Sequence, residues 1–332
     1  MRSVMHFALA ALLGASALPA IAQDKPVLNV YAYESFATEW GPGPAIAEGF
    51  EAACDCTLEF TTSADAISTL RKLQLEGKTT TADVVIGLDT ATAGEARATG
   101  LFAPHGLDFP DLALPETWDD PEFVPFDYGF FAFVYDKDRL ETPPTSFEAL
   151  IAEPDDFKIV IQDPRSSTPG LGLVMWIAAA YGDRAPEIWE GLKPHVLTVT
   201  RGWSESYSLF LDGQADMVLS YTTSPAYHAV DEDDDSYAYA PFEEGFVPQI
   251  EVAGLVASSD QQELGKQFLA YLMTPEAQSV IPTTNWMYPV IDLGDALPDA
   301  FAGAPDNVIA IDEDTIASES RGWVDDAITA LQ

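Results

Sequence analysis

The sequence predicts an α/β protein of two lobes closing on one cleft like a clamshell, each lobe a mixed sheet flanked by helices. Three observations carry this. The chain has 332 residues, more than a single hydrophobic core usually organises. Strand and helix patterns alternate along most of it, the mark of parallel-rich sheets with helices on both faces. Two apolar extended stretches, at 128–135 and 246–257, stand where the chain would cross to a second lobe and return. A cleft lined from both lobes closes by hinge motion.

Residues 1–22 read as a secretory signal peptide. Arg2 is their only charge, the apolar stretch over 7–18 is too short to span a membrane, and Ala20 and Ala22 flank Ile21 as signal peptidase prefers. The mature chain then starts near Gln23, and with no cysteine at that point a free periplasmic protein is expected. In the first lobe, 27–33 reads as a strand, 44–53 as a helix and 58–62 as a strand. A helix follows that Ser63 or Asp65 can cap, with Ile67, Leu70 and Leu73 along one face and Gly77 at the left-handed stop. Residues 83–88, carrying Val84-Val85-Ile86, read as a buried strand. Binding edges of such sheets lie at the carboxyl ends of the strands, here Tyr33, Glu34, the 61–65 turn and Asp89.

A Pro-rich irregular stretch at 104–125 leads into the crossing strand at 128–135. The second lobe then alternates strands at 159–162, 196–200 and 217–221 with helices near 171–181 and 204–212. After the return at 246–257, 261–273 and 275–281 read as helices. The expected division is 23–125 for the first lobe, 126–245 for the second and 246–285 for the return, with 286–332 assigned to neither.

Hydrophobic residues make up 47% and aromatics 11%, which excludes a disordered chain. Against 54 Asp and Glu stand 15 Lys and Arg, a net charge of −39. Such a body repels nucleic acid and anionic lipid; the acidity reads as a surface adaptation, of the kind that suits salt, that acts on solubility more than on fold. Beyond the leader no apolar run is long enough for a span. Cys54 and Cys56 lie one residue apart; in an oxidising compartment they can pair as a local clip at a helix-to-strand junction. No metal is expected, because His6, His105, His195 and His228 form no ligand spacing and no further Cys exists. The acidic run 231–235 lacks the alternating ligands and turn glycine of a calcium loop and reads as solvated.

Four segments carry chemistry. Gln-Asp-Pro-Arg-Ser-Ser-Thr-Pro-Gly-Leu-Gly at 162–172 puts Ser167 and Thr168 at a helix N-terminus, a site for an oxyanion or hydroxyl. Trp203, Tyr221 and Tyr227 follow predicted strands; with Tyr33 and Trp40 they can form an aromatic box for a flat or cationic ligand. Asp65 adds a rim carboxylate. Each has a plainer reading, as helix cap or core ring. The chain carries no nucleophile elbow, phosphate loop, zinc-protease pair or dinucleotide fingerprint, so binding is favoured over catalysis.

These same segments identify a relationship. Tyr-Glu-Ser-Phe-Ala-Thr-Glu-Trp-Gly-Pro-Gly-Pro at 33–44, Phe-Val-Pro-Phe-Asp-Tyr-Gly at 123–129, the 162–172 run, Gly-Trp-Ser-Glu at 202–205, Leu-Ser-Tyr-Thr-Thr-Ser-Pro-Ala-Tyr-His at 219–228 and Asn-Trp-Met-Tyr-Pro-Val at 285–290 make the chain resemble the periplasmic thiamine-binding family of the class II solute-binding fold. The resemblance covers about 26–290. It implies capture of thiamine, thiamine monophosphate or thiamine diphosphate for an ABC permease, by a monomer without a cofactor. It places ligand contacts on Asp65, Ala66, Ser167, Thr168, Trp203, Tyr221, Thr222, Thr223 and Ser224, with Tyr33, Trp40 and Tyr227 as ring walls. The expected division of labour sets Asp65 against the cationic rings and Ser167 and Thr168 against the tail. Ala66 stands where the family has Gly, which matters if that amide needs a glycine-only conformation. Competing readings are a ferric-iron protein using Tyr221 and Tyr227, a polyamine-binding protein, and a thiamine-degrading enzyme, which would need an activated cysteine in the cleft.

Overall fold

A computed structural model describes residues 25–109, 111–301 and 303–332; the leader expected at 1–22 lies outside the described residues. In the first lobe, β1 (Val27–Tyr33) lies parallel between β2 (Thr57–Ser63) and β3 (Val84–Asp89). The period-2 alternation of β1 sends Leu28, Val30 and Ala32 to one core and Tyr31 to the core on the opposite face. All of β3 is buried, as a central strand covered on both faces should be. The helices Pro42–Cys54 and Ala66–Glu76 connect the three strands. Asp65 caps the second helix, and Gly77 ends it at φ +55°, both as the sequence predicts. Cys54 and Cys56 are joined by a disulfide between the helix end and the start of β2.

After the short β4 (Phe102–Ala103) the chain enters β5 (Phe123–Asp136), which belongs to both lobes. Residues Phe123 to Phe130 pair antiparallel with β10 (Pro248–Val256), whereas Phe131 to Tyr135 pair with β8 (Met217–Tyr221). The remaining strands are β6 (Ile159–Gln162), β7 (Val196–Thr200), β9 (Tyr237–Tyr239) and β11 (Tyr288–Pro289). The order runs β2-β1-β3-β10-β5-β8-β6-β7, with β4 on β10 and with β9 and β11 on β5. Sequence reading starts the crossing strand five residues late, because Pro125 argues against a strand interior. The ladder accommodates it beside a bulge at Phe126, the extra β5 residue opposite the step from Glu251 to Val252, which relieves the missing N–H.

The second lobe packs Phe133, Phe147, Trp176 and Phe242 on one face of its sheet, and Val134, Val160, Tyr207 and Phe210 on the other. The helix Glu313–Leu331 settles the unassigned C-terminal stretch: it lies on the helices Thr168–Tyr181 and Ala185–Leu192 of the second lobe and also touches Thr90–Ala98 of the first. Among the described residues no helix is long and apolar enough to cross a membrane.

Gly87 in β3 shows how the scaffold seats a cleft residue. Its φ is +97°, and a Cβ there would stand 2.2 Å from the Tyr33 ring. Gly87→Ala is therefore expected to lower stability by about 1 to 3 kcal/mol, through backbone strain and displacement of Tyr33. Urea unfolding followed by circular dichroism measures this; an unchanged midpoint would refute it.

Candidate functional site

Between the lobes lies a cavity of about 560 Å³. Of the twelve residues expected at the site, nine line it: Tyr33, Trp40, Asp65, Ala66, Thr168, Trp203, Tyr221, Ser224 and Tyr227. Ser167, Thr222 and Thr223 do not. Ser167 is buried and donates its hydroxyl to Asp65 Oδ2 at 2.6 Å. Thr222 donates its backbone N–H to Phe130 at the end of the β5–β8 ladder, and Thr223 faces Met287 Sδ. The sequence places these three in the right loops but does not say which side chains turn inward.

The rings converge because their elements do. Tyr33 ends β1, Tyr221 ends β8, and Trp203 opens the helix Trp203–Leu211. Trp203 stacks on Tyr207 with centroids 4.8 Å apart and meets Trp40 of the first lobe at 6.4 Å. Its indole N–H donates to Ser220 Oγ at 2.8 Å, which fixes the ring plane. Tyr227 meets the edge of Trp286 at 5.3 Å. Trp286, with Asn285 and Met287, was missing from the predicted wall although the segment stands out in the sequence. Trp286 holds φ +56°, a conformation costly for a bulky residue and typical of functional positions.

Asp65 does something different from what its sequence context suggests. Beyond capping its own helix through the Ala66 N–H at 2.7 Å, it reaches into the second lobe, accepting from Ser167 Oγ and from the Trp203 N–H at 3.2 Å. The carboxylate sits at the N-termini of the helices Thr168–Tyr181 and Trp203–Leu211, where helix dipoles favour negative charge. The expected separation of a ring end at Asp65 from a tail end at Ser167 is not what the structure builds, since the two residues are bonded to one another. Gly202 permits the approach: a Cβ there would stand 2.7 Å from the Ala64 carbonyl. Ala66 needs no glycine conformation, being an ordinary first helical residue. Burial pushes the Asp65 carboxyl up to about 6 against the pull of its donors, Ser167 foremost.

Glu251, in the middle of β10, is a lining residue that sequence reading missed. It is buried, accepts from Tyr33 Oη at 2.9 Å and from Gln249 Nε2 at 2.8 Å, and Gln249 in turn accepts from Tyr221 Oη at 2.8 Å. Burial and the charge of Asp127 push its carboxyl well up. No Lys, Arg or His lines the cavity among the described residues. An aromatic-walled, acid-floored cleft of this size takes a flat cationic small molecule.

Residues 37–279 match the family of bacterial extracellular solute-binding proteins. The chain is 47% identical over 310 residues to the "Thiamine-binding periplasmic protein" of Salmonella typhimurium, covering 93% of this chain and 94% of that one. To the Brucella suis protein of the same name it is 46% identical over 330 residues, 99% and 98% of the two chains. A solved "Periplasmic thiamin binding protein" superposes with a TM-score of 0.90 at 46% identity, covering 93% and 97%. The apo ferric ion-binding protein A of Pasteurella haemolytica has a TM-score of 0.72 at 15% identity over 92% and 97% of the chains, and shares the fold.

The Asp65 clasp has a measurable pH signature. Its folded pKa lies above the ordinary carboxyl value, so the folded state binds more protons than the unfolded one between about pH 4 and pH 6, and this group's contribution falls as pH rises through that window. Asp65→Asn keeps an N-cap acceptor without a charge. Relative to the parent, the variant should gain about 1 to 3 kcal/mol on going from about pH 4 to about pH 7. Denaturant midpoints across that range test it; a constant gap would show that Asp65 titrates normally.

Proposed function

The chain belongs to the thiamine-binding periplasmic proteins within the bacterial extracellular solute-binding family, and on that footing we propose how its cleft serves capture of thiamine for an ABC permease. The protein is a binding component of a transporter, not an enzyme, and works in the periplasm. The single observation that carries the site assignment is the cavity itself: seven large rings (Tyr33, Trp40, Trp203, Tyr207, Tyr221, Tyr227 and Trp286) line it together with acidic residues that include the buried Asp65 and Glu251, and no basic side chain lines it among the described residues. A thiazolium needs ring faces and negative charge, and an aminopyrimidine needs stacking and hydrogen-bond partners; the cleft offers each.

The alternatives suit these side chains less well. Tyr221 and Tyr227 donate their hydroxyls to Gln249 and Glu232, and burial pushes both phenols up, Tyr221 furthest; phenolate ligation of ferric iron would have to undo this. Cys54 and Cys56 are spent on their disulfide, which leaves no thiol for a thiamine-degrading reaction. Export through cleavage near Gln23 and a monomeric state complete the proposal.

The monophosphate and diphosphate are proposed as further ligands. Thr168 lines the cavity at the start of a 14-residue helix, and its buried hydroxyl has no partner. A phosphate oxygen would supply one, beside the helix N–H groups that Asp65 now occupies.

Protein purified without denaturation should carry thiamine or its phosphates by mass spectrometry, and the stripped protein should bind thiamine in a calorimeter. Failure of both would overturn the reading. Trp203→Ala should weaken thiamine by about 1 to 3 kcal/mol and remove most of the fluorescence quenching on binding. Thr168→Ala should weaken the phosphates more than thiamine, by about 1.5 to 3 kcal/mol; equal losses would place the tail elsewhere.

A further inference from the structure

Three carboxyls stand side by side across the centre of the first-lobe sheet. Glu251 on β10 is in register with Asp89 on β3 and with Asp127 on β5. All three are buried, and none has a Lys, Arg or His partner among the described residues. Like charges opposite one another in a sheet are destabilising, and a buried carboxylate without a counter-charge shifts its pKa and takes up a proton. Asp89 has its own answer, capping the helix Thr90–Ala98 through the Thr92 N–H at 2.9 Å and the Thr92 hydroxyl.

Glu251 and Asp127 divide unequally. Both Glu251 oxygens accept from donors, Tyr33 Oη and Gln249 Nε2, an arrangement that suits an ionised carboxylate. Asp127 Oδ2 accepts from Asn285 Nδ2 at 2.6 Å, but Asp127 Oδ1 is buried with no partner. Asn285 also donates to Tyr33 Oη at 3.1 Å, which closes the network from Asp127 through Asn285 and Tyr33 to Glu251. Glu251 and Asn285 line the cavity and Asp127 stands behind them. The β5 bulge at Phe126, directly beside Asp127 and opposite the step from Glu251 to Val252, lies at the same point, and bulges beside sites re-aim side chains.

We propose that Glu251 and Asp127 hold one proton between them in the empty cleft and release it when a cationic ligand arrives, so that Glu251 is the counter-charge for the ring cation and capture is coupled to proton release. The proton leaves Asp127 for solvent as the carboxylate pair becomes fully ionised under the field of the ligand; no bond to the ligand forms. This rests on the thiamine reading. Burial raises both carboxyls, and the charge of Asp127 further opposes ionisation of Glu251, so the pair resists losing both protons. The groups facing the pair are Tyr33 from β1, Asp89 from β3, Asp65 from the cap of its helix and Tyr221 from β8. All are acidic or phenolic and none can act as the missing cation.

Calorimetry with thiamine, whose thiazolium charge is independent of pH, tests this in buffers of different ionisation enthalpy from about pH 6.5 to about pH 8.5. The parent should release up to one proton, and its affinity should rise by up to about tenfold per pH unit until the free pair is ionised. Asp127→Asn, which leaves Glu251 beside a neutral neighbour as the protonated pair does, should bind without slope and about as tightly as the parent does at the lower pH. Glu251→Gln should lose tenfold or more in affinity at the upper pH, on the order of one unpaired charge interaction. A parent whose affinity and heat ignore pH and buffer, or an Asp127→Asn variant that keeps the parent's slope, would overturn the proposal. Absence of thiamine binding at every pH would instead overturn the functional reading beneath it.

Discussion

One strand holds the molecule together at the place where it must also bend. β5 gives its first half to the sheet that contains β10 and its second half to the sheet that contains β8. Because its residues are fixed by ladders on both sides, Asp127 in one lobe and Phe131, which packs against Tyr221 in the other, lie a few residues apart on a single backbone. The cleft forms where that strand changes partners, so its floor belongs to the stiffest part of the fold. Its walls come from helix starts and strand ends that can move with either lobe.

Charge organises this cleft more than packing does. A chain with a net charge of −39 draws cations over long range at low salt, yet the effective charges are few and buried. Asp65 is satisfied across the lobes by donors from two helix N-termini, so it acts as a clasp holding Ser167 and Trp203 against the first lobe. Glu251 has hydrogen bonds but no opposite charge. Two carboxylates of the same rim therefore do different work, decided by what surrounds each.

The aromatic walls follow the same logic of support from behind. Trp203 is held by Tyr207 and Ser220, and Tyr33 by the space at Gly87 and by Glu251. A ring fixed in this way loses little freedom when a ligand stacks on it.

Much of this was legible without coordinates. Strand-like periodicity marked β1 and β2 and a continuous apolar run marked β3, the strands Ile159–Gln162, Val196–Thr200 and Met217–Tyr221 fell where the pattern put them, and Asp65 and Gly77 delimited their helix, because such signals depend on near neighbours. Strand ends marked Tyr33, Trp203 and Tyr221, since a parallel sheet binds at its carboxyl edge, a helix start marked Thr168, and the family resemblance added Ala66 and Ser224. Glu251 could not be found this way: within Gln-Ile-Glu-Val-Ala it looks like one polar position of a strand, and its meaning comes from Asp127, 124 positions earlier by residue number, and from Asp89 on the other side. Nor could the sequence tell that Ser167 turns to Asp65 rather than to the cavity, or that Pro125 sits inside a strand beside a bulge. Local order and the rim are matters of adjacent residues and belong to the sequence. Which carboxyls share a space, and so which must hold a proton or await a cation, depends on distances between strands, and only the tertiary structure decides it.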